Sequence, residues 1–480
     1  MKVYMKDVRI SFSKLCVVLS LVSCVIGALL SSITGNEKIL LLAIYFSLTA
    51  TAFAGFHFLR HRDAGLLIFT LMTIYIWIAY PIKLTMAILD PMTLWVSYEI
   101  FPPDVVQREI SSSFVIIAPG LLALSWGIIV GYKGRRRKGS LHHYRINHIM
   151  FGLVIIALLT LRLVNQTVFQ IGLPGVKPLS LGIPYLTGLL ELLSRPVLFA
   201  VINLYFYSII KLNDPKGLWP ALLYIFSNII LGVWVGYKSE LILQGFFIAY
   251  YLFGLRHDLS TKRSSFLYVI CFTIVTGAVV LYPIINQYRS FLLSGQEISQ
   301  AVESATKRNE KSKYPFIVLF ANRINGIGAF YAASKLGESR EFPVSSLFDS
   351  SVMDLIKEKL YGRDKDEAVT AFGTTLFSVL YLIGGLWLLY IGCLMFGWLI
   401  IGVSSILRER LYKSSIIFDA YLPFYSVWCV KLLSSGGEVA LFLKELILVV
   451  AVLYLIERYC FRISNTASIL RQSNLQFHAV

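Results

Sequence analysis

TTLFSVLYLIGGLWLLYIGCLMFGWLIIG, residues 374–402, runs for 29 positions without one charged side chain. About 20 apolar residues suffice for a helix to cross the hydrocarbon core of a bilayer. A run of this length therefore reads as a transmembrane helix. Working outward from it, apolar runs of similar kind recur along the whole chain. Their approximate limits are 15–34, 39–58, 64–82, 114–132, 148–164, 185–210, 218–235, 239–254, 265–285, 374–402, 415–433 and 439–457. Composition agrees: 57% of the 480 residues are hydrophobic and 15% charged, against about 45–50% and about 25% in soluble domains. The fold class expected is all-α: a polytopic membrane protein with about 12 transmembrane helices, read as a single domain over 1–480.

The formal net charge of +17 would suggest nucleic acid in a soluble protein. Here the positive-inside rule accounts for it. With the N-terminus in the cytoplasm, the inner connections and both tails collect 23 lysines and arginines, Lys133 to Lys138 among them. The short outer loops are poor in both residues, so no nucleic-acid partner is called for. Lys2, Lys6, Arg9 and Lys14 precede an apolar run with no small-residue cleavage site, so this run is expected to be retained as the first span. Both termini are expected in the cytoplasm.

One connection is long. Residues 286–370 hold 12 basic and 11 acidic side chains and are expected to form an extracytoplasmic loop. Within it, Tyr314–Leu336 is mostly apolar with Arg323 near its middle. A spanning helix there would turn Arg408, Arg410 and Lys413 outward, against the charge rule. An interfacial or re-entrant helix keeps the signs right.

Chemistry is read from what falls on the outer side. All seven histidines (His57, His61, His142, His143, His148, His257 and His478) lie in or beside cytoplasmic segments, which disfavours a histidine-dependent transferase or zinc enzyme on the outer face. The six cysteines form no CxxC pair. No metal and no cofactor is expected. The positive signal is a set of cations at outer ends of apolar segments: Arg162, Arg195, Lys238, Arg289 and Arg323. Together they would suit an anionic headgroup such as a diphosphate, since guanidinium offers paired donors to phosphate. Each also has a plainer reading. Arg162 could snorkel to the interface, and Arg195 could pair with Glu191 one helical turn earlier.

The order of these features is similar to that of the O-antigen polymerase (Wzy-type) family of oligosaccharide repeat-unit polymerases. The basic turn Gly236-Tyr237-Lys238-Ser239 comes first, then the exit Tyr288-Arg289, the long loop with Arg323, and Gly373-Thr374-Thr375 through Gly384-Gly385 opening the next span. The resemblance implies a substrate of sugar repeat units on undecaprenyl diphosphate, joined at the outer leaflet of the bacterial inner membrane for O-antigen, capsule or exopolysaccharide. It implies a metal-independent membrane glycosyltransferase whose donor carries its own leaving group. Arg289, Arg323 and Lys238 match the family's outer basic positions, with Arg162 and Arg195 the next diphosphate candidates. Glu240 is the candidate base, or else the charge partner of Lys238. Arg289 and Arg323 would act in catalysis as well as binding. Partners implied are membrane lipid, the lipid-linked oligosaccharide, a chain-length regulator and a flippase. A flippase for the same lipid-linked sugars and an O-antigen ligase are the alternative readings.

The topology makes a direct prediction. Cysteines introduced at Ser299 and Ser346, in a variant lacking the native ones, should both react with an impermeant maleimide in intact cells. Labelling of Ser299→Cys with protection of Ser346→Cys would mean that Tyr314–Leu336 crosses the membrane.

Overall fold

The protein is described by a computed structural model. The residues described are 20, 22–58, 64–89, 102–132, 144–171, 179, 183, 185–235, 238–255, 267–270, 272–274, 276–277, 326–336, 345, 375–411, 415–434 and 439–463. In chain order the helices are α1 (Val22–Thr34), α2 (Glu37–Phe58), α3 (Ala64–Trp77), α4 (Lys83–Leu89) and α5 (Pro103–Gly131). The strand β1 (Tyr144–Ile146) precedes α6 (His148–Thr167), α7 (Leu186–Leu192), α8 (Leu198–Lys211), α9 (Leu218–Trp234) and α10 (Lys238–Leu255). Then come α11 (Ile327–Leu336), α12 (Leu376–Ile406), α13 (Ser415–Ser434), α14 (Val439–Cys460) and β2 (Phe461–Ile463).

The protein is thus an all-α polytopic membrane protein. Among the described residues, 7 helices are long and apolar enough to cross a membrane, and α1, α9 and a stretch of α10 are shorter apolar helices. Helix limits follow the apolar runs closely because a backbone withdrawn from water must satisfy its own hydrogen bonds. The outer connection expected over 83–113 differs. It holds α4 and the first turns of α5, whose start is favoured by Pro103 at the first helical position. The expected ninth span, 265–285, lies mostly outside the described residues. So does most of the 286–370 loop.

The expected single domain sorts into two compact units. The first comprises 1–134, 306–406 and 425–443. Its centre is the contact of α5 with α12, which glycines make possible. A Cβ on Gly127 would stand 2.1 Å from the Leu394 carbonyl oxygen, and one on Gly397 2.3 Å from that of Leu124. Small residues at a helix crossing let backbones touch where apolar burial alone gives no drive for association. The Tyr390 hydroxyl adds a bond to the Ile116 carbonyl at 2.9 Å. Near its start α12 is kinked at Gly384 and Gly385; the latter has φ +61° and ψ −152°, a conformation open essentially to glycine.

The C-terminal part of the stretch expected as interfacial or re-entrant is α11, which packs on α5 and α12. Its 10 residues rise about 15 Å, half a bilayer crossing. Ile327, Gly328, Phe330, Tyr331, Ala332 and Ala333 are buried. Ser334 meets Ser113 on α5 at 3.0 Å, while Glu109 accepts from the Tyr331 hydroxyl at 3.1 Å and pairs with Lys335. Phe330 sets its ring against Tyr381.

The second unit comprises 135–305, 407–424 and 444–480. The short strands β1 and β2 pair antiparallel, Arg145 opposite Arg462, and Phe461 packs edge-on to Phe151. A π turn, Leu193–Val197, joins α7 to α8 around Pro196. Proline lacks the N–H that an α turn would use, and such bulges re-aim nearby side chains; Arg195 stands inside this one. Inside the unit, Asn203 on α8 and Gln244 on α10 exchange amide hydrogen bonds at 3.0 and 3.3 Å.

The glycine crossing predicts opposite signs for one chemical change. Gly397→Ala forces a Cβ into the backbone of α5 and should lower thermal stability, by about 1–3 kcal/mol if α12 shifts to relieve it. Gly402, also on α12, has nothing within 4 Å of its Cβ direction. There Ala should be neutral or stabilise by about 0.5–1 kcal/mol through helix propensity. Thermal unfolding of the purified variants reads both.

Candidate functional site

Helices α6, α7–α8, α9 and α10 run alternately, so the C-terminal parts of α6 and α9 and the N-terminal parts of α7–α8 and α10 fall at one end of the second unit. On α6, Arg162, Asn165 and Gln166 stand three and four residues apart and so share a face. All three are buried, Arg162 with 1% exposure. On α9, Asn228 and Gly232 are similarly spaced and buried. Glu240 lies in the first turn of α10, where the helix N-terminus favours a negative charge.

These elements converge on one carboxylate. Arg162 Nη2 lies 2.8 Å from Glu240 Oε2, and Arg195 Nε lies 3.6 Å from Glu240 Oε1. Arg162 Nη1 donates to Asn228 Oδ1 at 2.5 Å. Arg195 Nη1 donates to Glu191 Oε1 at 2.9 Å. Gly232 is small by necessity, since a Cβ there would come within 2.6 Å of Glu240 Oε2 and 3.4 Å of Arg162 Nη2. Side-chain exposure rises along the chain of charges, from 1% at Arg162 through 12% at Glu240 and 26% at Arg195 to 42% at Glu191. The cluster is closed at Arg162 and open towards Glu191.

The sequence candidates are therefore placed unevenly. Arg162, Arg195 and Glu240 come together. Arg162 does not snorkel: a snorkelling guanidinium reaches water, and this one is buried. Arg195 makes the anticipated pair with Glu191 and also faces Glu240. The Glu240 carboxylate, weighed as the partner of Lys238, lies against the two arginines. Lys238 opens α10 two residues before Glu240, and its side chain lies outside the described residues. Arg289 and Arg323 lie outside them altogether.

Asn228 and Gly232 were not singled out from the sequence. Their signal was a lone amide and a glycine one turn apart in the mostly apolar LWPALLYIFSNIILGVW, residues 218–234, the pattern of a polar intramembrane contact. At the other end of α6, His148 is held by Asp214 at 2.8 Å and by the Tyr205 hydroxyl at 3.0 Å. That lies 14 residues, or about 21 Å of helix, from Arg162. Among the described residues no three metal-ligating side chains converge. Two guanidiniums, an amide and one carboxylate can bind and orient an oxyanion, and the carboxylate can accept a proton.

A buried ion pair predicts its own mutational signature. Arg162→Leu should destabilise the purified protein by about 3–5 kcal/mol, because Glu240 is left without its nearer charge partner. Adding Glu240→Leu should recover most of that loss, as apolar groups of similar volume often replace a buried pair at little cost. Equal losses that simply add in the double variant would show that the pair carries no coupling. No family model, no curated protein and no solved structure matches the chain.

Proposed function

We propose that the protein is a polymerase of lipid-linked oligosaccharide repeat units, acting on undecaprenyl-diphosphate carriers at the outer leaflet of the bacterial inner membrane. The observation that carries this reading is the convergence of Arg162, Arg195 and Glu240, picked from the sequence as outer cations and an acid, at one end of one helical unit. In this reading the nascent glycan passes from its diphosphate carrier to a hydroxyl of the incoming repeat unit. The carbon–oxygen bond to the donor diphosphate breaks, a glycosidic bond forms, and the acceptor hydroxyl yields its proton to a base. The leaving group is already built into the donor, so catalysis consists of positioning the acceptor and stabilising the departing diphosphate. Arg195 is the partly exposed cation of the cluster, and Arg289, Arg323 and Lys238 complete the proposed diphosphate set. A chain-length regulator and a flippase would work beside it.

Arg289→Ala and Arg195→Ala test the reading in cells that assemble surface glycan. Losing one partner of a desolvated charge pair costs about 2–5 kcal/mol, or roughly 30- to several-thousand-fold in rate if felt in the transition state. Surface glycan should then be capped with single repeat units while protein level stays normal. Arg289→Lys should restore part of the polymer, as a point charge lacks the paired donors of guanidinium. Long-chain glycan persisting in both alanine variants would reject these residues. Complete loss of surface glycan, single repeats included, would favour the flippase reading.

A further inference from the structure

A guanidinium has five N–H donors. Among the described residues only Nη1 of Arg162 meets an acceptor in hydrogen-bonding geometry, Asn228 Oδ1. Nε and Nη2 are shielded from solvent and meet none among the described residues. Glu240 lies 2.8 Å from Nη2, yet the approach is misaligned, and Glu240 Oε2 is likewise without a hydrogen-bond partner among the described residues. Unmet donors of this kind are rare in native interiors. A carboxylate dedicated to one arginine normally makes two parallel bonds to it. Glu240 instead divides its oxygens, Oε2 towards Arg162 and Oε1 towards Arg195.

That is a bridging position between two guanidiniums, and a phosphate group fills it better because it carries more acceptor oxygens. A further donor stands by. The Asn228 amide is oriented by Arg162, which takes its oxygen, so its Nδ2 is left as a buried donor without an acceptor among the described residues. Gly232 leaves room for an oxygen and for nothing as large as a methyl group beside it. Arg195 has a second carboxylate in Glu191, so its charge stays balanced while the bridge is exchanged. Exposure increases towards Glu191, which marks the side of approach.

We propose that Glu240 is a resident stand-in for the diphosphate: its carboxylate bridges Arg162 and Arg195 in the free protein, and an incoming diphosphate displaces it. The inference rests on the reading that the substrate is a lipid-borne diphosphate, and it makes Glu240 an occluding group in place of a base. No bond is made or broken in the exchange. An uncharged headgroup cannot displace the carboxylate, so the exchange also selects for charge. A diphosphate could reach the site free or on a lipid, and the two sources are separable by probe.

The test is calorimetric titration of the purified full-length protein with inorganic pyrophosphate and with farnesyl diphosphate. Couplings of close charge pairs are large enough that Glu240→Gln should bind both probes about tenfold more tightly or better. Arg162→Ala added to Glu240→Gln should abolish the gain. Should Glu240→Gln fail to fold, Glu240→Asp, with its carboxylate drawn back by one methylene, should still tighten binding about threefold. Unchanged or weaker binding in a monodisperse Glu240→Gln or Glu240→Asp protein overturns the inference. A gain for pyrophosphate alone overturns the assignment to a lipid-borne ligand. Polymer synthesis in cells is a separate readout: tighter binding in a protein that makes no polymer retains the stand-in and discards the polymerase, and unaltered binding in an active polymerase does the reverse.

Discussion

A guanidinium withdrawn from water inside a helix bundle must bring its counter-charge with it. Desolvating either ion alone costs several kcal/mol, which only a close and well-supported partner offsets. In the second unit that requirement ties α6, through Arg162, to α10 through Glu240 and to α9 through Asn228. The π turn at Pro196 brings Arg195 to the same carboxylate. Four segments thus meet at one end around a single acid, and Gly232 keeps the space in which that acid sits. The amide pair Asn203–Gln244 adds a second polar tie between α8 and α10. Apolar packing alone would hold such helices with far less registry, because lipid chains compete for the same contacts.

The first unit meets the same solvent by different means. Its central crossing contains no ion pair between α5 and α12 among the described residues; it relies on backbones brought together at Gly127 and Gly397. Elsewhere in the unit Glu109 receives Tyr331 and pairs with Lys335 to fasten α11. A helix of 10 residues is marginal on its own, so its order rests on this packing and these ties. The glycine pair 384–385 kinks α12 beside the surface on which α11 packs, where Phe330 meets Tyr381.

In functional terms, the two arginines of the cluster sharing one carboxylate is a different matter from two arginines awaiting an anion. Shared carboxylate keeps the charges paired and the site closed at Arg162. On the proposed function a diphosphate would have to compete with it, by charge and by number of acceptor oxygens. A transferase whose donor departs as a diphosphate would benefit from such a site, because binding and leaving-group stabilisation use the same groups.

Much of the architecture was legible in the sequence. Span positions are written locally: each apolar run must bury its own backbone, so hydropathy and helix limits agree closely for most of the long helices, with α4, the first turns of α5 and α11 the exceptions. Orientation was argued from loop charge for the same reason, as each loop meets its own side of the membrane. Candidate cations were legible too, because a charge within an apolar run stands out whatever surrounds it. Which cations meet was not. That depends on helices 66 residues apart, as for Arg162 and Asn228, and no spacing within either helix encodes the other's rotation. Gly232 shows this most clearly. As a sequence symbol it is one glycine in an apolar helix, and only the tertiary structure reveals that a carboxylate from α10 occupies the place where its side chain would be.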